Sequence, residues 1–322
     1  MSLPSDSLPM SPYFHLEQLA EGVWAAIVAR GTGAWGNAGI VALGNRTLVF
    51  DTFLTPAAAR DLRAAADALT GQPVAYVVNS HYHMDHIHGN AVFDDATIIT
   101  TGKTRERIAN RGAEILARMR EHPDDLTSLD AEIASAATPE LAADLRVAQG
   151  DYRALYAALP ELALRLPDIT FEQRLTLHGT ERAVEVLSYG GGHTSSDAFL
   201  LLPAERIAFL GDLLGVRMHP SFGQADLERW DEILERIETL DIQTVVPGHG
   251  PVGTLDDVAV LRQYLGDMEM LVDEAIVRGE TAERIFVLPP PGAYATWGAR
   301  DIYTANLRHL YGLLAQSPEE AE

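Results

Sequence analysis

The chain has 322 residues, 47% of them hydrophobic, with 24 Lys or Arg against 46 Asp or Glu, a formal net charge of −22 and no cysteine. This length and apolar content suffice for one large buried core. The acidity, with no basic block, excludes a dedicated nucleic-acid binder, and the missing cysteines exclude disulfides and thiolate metal ligands.

No apolar run reaches the ~18–20 residues of a membrane span. Met1 to Tyr13 carries neither a basic n-region nor an apolar h-region. The expectation is a cytoplasmic protein with no secretory signal, no membrane contact and no nucleic-acid partner.

In chain order, Gly22 to Ala29, Ala38 to Leu43 and Thr47 to Phe50 read as strands, the last two joined by a hairpin turn at Gly44-Asn45. Between the first two lies the loop Gly31-Thr32-Gly33-Ala34-Trp35-Gly36-Asn37, in which Trp35 is the lone large apolar residue. It either closes over a ligand as a flap or anchors the loop in the core. Asp51 ends the third strand. Thr55 caps and Pro56 opens an alanine-rich helix that Gly71 ends.

The apolar run Val74 to Val78 reads as a buried strand. Asn79 and Ser80 break it and put His81-Tyr82-His83-Met84-Asp85-His86-Ile87-His88 on a loop at its end. Imidazole and carboxylate are the donors Zn²⁺ prefers where no thiolate is available. His81 and His83, two apart on an extended loop, point to one side. Asp85 and His86 are adjacent and diverge, so one short segment can serve two metal positions.

Lys103 to Phe171 is rich in Ala, Leu, Arg and Glu. Ile108, Ile115, Leu116 and Met119 share a helical face, and further helix runs from Pro139 to Leu159. This is an insertion with apolar faces to bury, over the cleft or against another subunit. Val184 to Tyr189 is a strand leading to His193 in Gly190-Gly191-Gly192-His193-Thr194. The run Arg206 to Leu210 precedes Asp212, and Val245-Val246 precedes Pro247-Gly248-His249-Gly250. Glycine allows backbone to crowd an ion, and strand ends are where open α/β sheets place their sites.

His219 follows Asp212 closely enough to line the cleft and give a proton to a leaving group. Leu227, Trp230, Ile233, Leu234 and Ile237 recur at helical spacing behind an Asp226 cap, so Trp230 is core packing rather than a ligand. Thr254 with Asp257 is a capping box opening a helix toward Arg278. Pro289-Pro290-Pro291-Gly292 is a stiff connector to a final helix around Ala305 to Leu314, against which Tyr294 and Trp297 pack. A short acidic stretch, Pro318 to Glu322, follows.

The ordered blocks His81-x-His83-x-Asp85-His86, His193, Asp212 and His249 resemble those of the metallo-β-lactamase-fold hydrolases, over roughly residues 20 to 255. The resemblance implies an α/β four-layer αβ/βα sandwich. It would form a single domain over 1–322, with the helical insertion at 103–171 and a C-terminal extension at 279–322. It further implies His81, His83 and His193 at one metal, Asp85, His86 and His249 at a second, and Asp212 bridging the two. Asp51 would support the site rather than ligate. His88, where many members have glycine, would be exposed, or would support the ligands from behind. Two Zn²⁺ per chain are implied; iron or manganese would satisfy the same donors.

Two such ions lower the pKa of bound water from ~15.7 toward ~7. The implied activity is hydrolysis of a carbonyl-type bond in a small molecule (ester, lactone, thioester or cyclic amide such as a β-lactam) through a metal-bridging hydroxide. Asp85 and Asp212 would be the catalytic carboxylates, and Trp35 and His219 the substrate contacts. Departures from family patterns leave the substrate open. Absence of cysteine excludes the lactamase subclasses with a cysteine ligand. Asp212 stands where cysteine-free lactamases have serine and resembles lactonases and glyoxalase-type thioesterases. Yet Leu213-Leu214-Gly215-Val216 lacks the lactonase tyrosine, and no Arg/Lys-rich C-terminal region matches the thioesterases. The alternatives are a mononuclear iron oxygenase of the persulfide-dioxygenase type, a phosphodiesterase, and a non-catalytic binding protein. The complete ligand set argues against the last of these.

Overall fold

Alternation along the strands decides the architecture, because successive side chains leave opposite faces. In the computed structural model, which describes residues 8–122 and 126–315, β1 (Phe14–Ala20), β2 (Val23–Val28), β3 (Ala38–Ala42) and β4 (Thr47–Phe50) form an antiparallel run. Residues 1–7 and the acidic Pro318 to Glu322 lie outside the described residues. Helix α1 (Pro56–Thr70) then returns the chain to β5 (Val74–Val78), parallel to β4. The first sheet is completed by β6 (Thr97–Thr101) and β7 (Ile169–Phe171), in the order β1-β2-β3-β4-β5-β6-β7. Between β5 and β6 lies α2 (Met84–Ile87), one helical turn where a loop is expected from sequence.

Between β6 and β7 the insertion forms α3 (Gly102–Arg107), a π-helical turn (Ile108–Gly112), α4 (Ala113–Glu121), α5 (Leu126–Ala134) and α6 (Pro139–Ala158). It ends short of residue 171, because Ile169–Phe171 pairs in parallel with β6. The second sheet contains β8 (Arg174–His178), β9 (Ala183–Gly190), β10 (Asp197–Leu202), β11 (Ile207–Gly215) and β12 (Thr244–His249), in the order β12-β11-β10-β9-β8. Asp212 therefore lies within β11, not after it, since that strand continues past Leu210 alongside β12. Helices α7 (Leu227–Glu238), α8 (Leu255–Val277), α9 (Ala282–Ile285) and α10 (Arg300–Leu314) complete the described chain.

Val23, Ala25, Ile27, Leu48 and Phe50 face the other sheet, where Val184, Val186, Leu200 and Phe209 meet them. Trp24, Ala26 and Val49 face outward onto Ala58, Leu62 and Ala65 of α1. On the far side, Ala208 and Leu210 pack against Trp230, Ile233 and Ile237 of α7 and Leu261, Leu265 and Met268 of α8. The order is helix, sheet, sheet, helix: the four-layer αβ/βα sandwich. Each fully buried Leu or Ile contributes about 1.5–3 kcal/mol to this packing.

The helix ends follow local chemistry. The Thr55 side chain accepts from Ala58 N, Pro56 occupies the first turn, and Gly71 takes the left-handed conformation that ends α1. Asp226 caps α7, and Thr254 with Asp257 forms the full capping box of α8. Helix α10 starts five residues before the Ala305 expected from sequence. Its first N–H group is served from outside the helix: Arg300 N donates to Asp144 Oδ2 of α6 at 3.0 Å.

Candidate metal centre

The first sheet delivers four of the seven candidate ligands from the end of β5. Asn79, Ser80 and His81 follow that strand, and α2 then turns Asp85 and His86 toward the same point. Asp85 Oδ2 lies 3.4 Å from His86 Nε2 and 3.4 Å from His249 Nε2. The two neighbours thus converge instead of diverging, because Met84–Ile87 is helical. His193 arrives from the loop after β9, Asp212 from the middle of β11 and His249 from the end of β12.

Two groups of donor atoms result: His81, His83, His193 and Asp212 in one, and Asp85, His86 and His249 in the other, each with its ligand atoms within 4.8 Å of one another. Asp212 faces both. Its Oδ2 lies 3.6 Å from His81 Nε2 and 3.3 Å from His193 Nε2, and its Oδ1 lies 3.1 Å from His86 Nε2 and 3.3 Å from His249 Nε2. His81 Nε2, His86 Nε2 and Asp212 Oδ1 are buried and have no hydrogen-bond partner. Leaving such atoms unsatisfied costs about 1–3 kcal/mol each. Imidazole and carboxylate lone pairs converging this way fit a pair of divalent cations of the Zn²⁺ type.

The electrostatics carry the same conflict. Burial drives His81 well below its usual range and His83 down to about 4. Burial also opposes charge on His86 and His249, but Asp212 and Asp85, joined at His86 by Asp51, outweigh it and raise both. Asp85 is held at about 2, because His86 and His249 overcome its burial, and His249, His86 and His81 push Asp212 well below its ordinary value. Bound cations would relieve this arrangement by letting every imidazole be neutral and both carboxylates charged.

A buried support fixes the rings. Asp51 Oδ2 lies 2.8 Å from His86 Nδ1, while Ser80 donates from its backbone to Asp51 Oδ1 (2.7 Å) and from its hydroxyl to Asp51 Oδ2 (2.8 Å). Ser80 Oγ also meets His81 Nδ1 at 2.9 Å. Such contacts orient a ligand ring and settle which nitrogen faces the ion. Asp51 sits at a φ of 59°, a conformation held by these partners.

Asn37 and Asp197 were not singled out from the sequence. Asn37 Nδ2 donates to Pro247 O and Gly250 O at 2.9 and 2.8 Å, clamping both sides of His249 to the first sheet. Asp197 accepts from the backbone of Gly192 and Thr194 and from the Thr194 hydroxyl, which fixes the His193 loop. The run Thr194 to Asp197 carries a side-chain turn signal that a sequence reading can use. The clamp made by Asn37 has no local signal.

Trp230 is fully buried, its indole donating to Leu213 O, and its ring also touches His193 at 5.2 Å between centroids. Tyr294 and Trp297 are buried packing residues, as expected. His88 is not exposed: it is 2% accessible, and burial pushes it down to about 4. His219 is buried beside Tyr264, Trp297 and Tyr303, its Nδ1 2.9 Å from the Tyr264 hydroxyl. Burial lowers its pKa to about 3, so the ring is neutral near pH 7 and lacks the imidazolium that the expected proton donation needs.

Two cavities open on the candidate ligands, one of about 210 Å³ and one of about 550 Å³, and Trp35, His83 and Asp85 line both. Trp35 is half-buried at a φ of 66°, and its indole meets Tyr152 of α6 edge-on at 5.0 Å. It is held by the insertion and at the same time walls the cleft. The insertion itself lines both cavities, through Asp144, Val147 and Asp151 on one side and Arg107, Ile108 and Arg111 on the other.

The chain matches the family model of the metallo-beta-lactamase superfamily over residues 32–249. A curated relative, the type 2 metallo-beta-lactamase of Bacteroides fragilis, is 31% identical over 110 residues, which is 33% of this chain and 44% of that protein's length. Among solved structures, the metallo-beta-lactamase from Pontibacter korlensis superposes with a TM-score of 0.58 at 18% identity, covering 79% of this chain and 99% of that one. The DIM-1 metallo-beta-lactamase exposed to ceftazidime gives 0.57 at 16% identity, covering 80% and 98%. At these identities the structural likeness concerns the fold.

Proposed function

Since the chain belongs to the metallo-beta-lactamase superfamily, we propose that it is a dinuclear zinc-dependent hydrolase acting on a carbonyl-type bond of a small molecule. The observation that carries this reading is the Asp212 carboxylate, whose two oxygens face two separate groups of ligand atoms. His81, His83 and His193 would hold one ion, Asp85, His86 and His249 the other, with Asp212 shared. When bound, two zinc ions supply Lewis acidity, polarising a carbonyl and making water acidic enough to attack near neutral pH.

The chain's own residues hold and shape the site. Asp51 and Ser80 fix the rings of His86 and His81. Asn37 ties the His249 loop to the opposite sheet. Trp35 and the insertion restrict access, which excludes water from apolar parts of a substrate. The rival iron oxygenase needs only one ion, so the complete second group, Asp85, His86 and His249, supports the two-ion reading over it.

The test is a panel of lactone, ester, thioester, β-lactam and phosphodiester substrates on zinc-loaded protein, with oxygen uptake on glutathione persulfide run beside it on iron-loaded protein. Turnover of a carbonyl-type substrate that Asp212→Ala abolishes is the expected result. Zinc-loaded protein inert on the whole panel, with oxygen consumed by the iron form, would overturn it.

A further inference from the structure

The two cavities on either side of Trp35 differ in charge. The smaller contains Asp144, Asp151 and Asp301, and its one arginine, Arg30, is paired with Asp144 at 2.9 Å. The larger contains Arg107 and Arg111 and no carboxylate besides the candidate ligand Asp85. The arginine ion pairs among the described residues involve neither guanidinium. In a chain of net charge −22, two arginines without an acidic partner among the described residues line one cavity, a local concentration of positive charge.

Local structure puts them there. Arg107, Ile108, Arg111, Gly112 and Ile115 all line the larger cavity, which places a single face of α3, the π-turn and α4 against it. A π-turn widens the helix at one point, a distortion frequent at functional sites. At Gly112 the turn packs closely on the Leu164 side chain, whose tip a Cβ would approach to 3.0 Å. The same wall carries the apolar side chains of Leu54, Met84, Ile87 and Ile115 and the ring of Tyr152, beside the polar Tyr82, Ser195 and Gln224. Along that wall an apolar chain would leave water at one end beside the metal residues and at the other beside two forked donors. Arginine pairs with carboxylate or phosphate in a planar two-point contact that lysine does not reproduce.

We propose that the larger cavity is a substrate subsite, and that the substrate is a small ester, lactone, thioester or cyclic amide whose apolar arm ends in an anionic group held by Arg107 and Arg111. The position of the scissile bond in this proposal rests on the hydrolase reading; the anion subsite does not. The anionic group is a carboxylate, sulfonate or phosphate, which share the same recognition chemistry.

Calorimetric titration of zinc-loaded protein with adipic acid monomethylamide, and with its neutral counterpart N-methylhexanamide, tests the subsite without turnover. The carboxylate-bearing amide should bind at least about tenfold tighter at low salt. That advantage should shrink as sodium chloride is raised and fall below about threefold in the Arg107→Ala/Arg111→Ala double variant, with zinc content unchanged. Equal affinities in the wild-type protein would overturn the proposal. So would an advantage that survives the double substitution, since the carboxylate would then be bound by the metals. A selective anion subsite in a protein that cleaves no member of the ester, lactone, thioester and β-lactam panel, including the ester and thioester of the same acid, would sink the hydrolase reading and leave the subsite standing.

Discussion

Gly248 leaves no space for a side chain: a Cβ there would lie 1.9 Å from Asp212 Oδ1. Gly248→Ala must therefore displace either the shared carboxylate or the end of β12 that carries His249. Loss of about one metal equivalent and a more than tenfold fall in turnover, with an unchanged far-UV circular dichroism spectrum, is the expected outcome; full activity would show the carboxylate is not shared. Asp51→Asn weakens the hydrogen bonds that orient His86 and position Ser80, and competition with a chelating dye should show metal affinity reduced by roughly 10–100-fold. Asp151 supplies a pH dependence, because burial raises its pKa from 3.8 to about 6. Below the lower value the group is protonated in both folded and unfolded chains. As the pH rises through the higher one, folding loses stability, by at most about 3 kcal/mol. In urea melts of metal-free protein, Asp151→Asn should gain stability relative to wild type between about pH 4 and 7, a difference a flat comparison would contradict. At this scale the seven candidate ligands were legible because four cluster in one short segment and the other three stand beside glycines at or near expected strand ends. Asn37 was not, because its partners Pro247 and Gly250 lie more than two hundred residues away.

The insertion and the glycine loop act as one element. Asp151 of α6 accepts from the backbone of Gly31 and Gly33 at 3.1 and 2.8 Å, and a Cβ on Gly150 would come within 2.5 Å of Gly31 O. Gly150→Val should push α6 away from the loop, changing KM while leaving metal content intact; unchanged KM would mean the loop keeps its place without the helix. Trp35→Ala should raise KM for an apolar substrate, since ~100 Å² of lost burial is worth roughly 2.5 kcal/mol. A variant that instead melts markedly lower at constant KM would make Trp35 a core anchor alone. The helical faces of this insertion were readable in Ile108, Leu116 and Met119, all buried. Its position over the cleft was not, because α6 is held through glycine backbone and Asp144 bonds to Arg30 and Arg300, contacts that leave no periodic trace. Strand β10 (Asp197–Leu202), buried along its whole length, shows no alternation to mark it as a strand.

Across the whole molecule, the first sheet contributes His81, His83, Asp85 and His86, and the second contributes His193, Asp212 and His249. Bound ions would thus add cross-links between two halves already joined by core packing and by hydrogen bonds such as those of Asn37 and Arg182. The order of the ligand blocks already implied such a meeting, which is why the layer order was legible when several strands were not. Zinc at about a hundred times its dissociation constant should stabilise the fold by ~2.7 kcal/mol, seen as a higher melting temperature that a chelator reverses; a melting temperature indifferent to both would mean no ion joins the halves. The most direct measurement is elemental analysis of zinc-replete protein beside its Asp212→Ala variant. About two equivalents in the wild type, falling to about one in the variant, is the result predicted for a shared carboxylate between two ligand groups. A wild-type value that stays near about one however much zinc is supplied would contradict it.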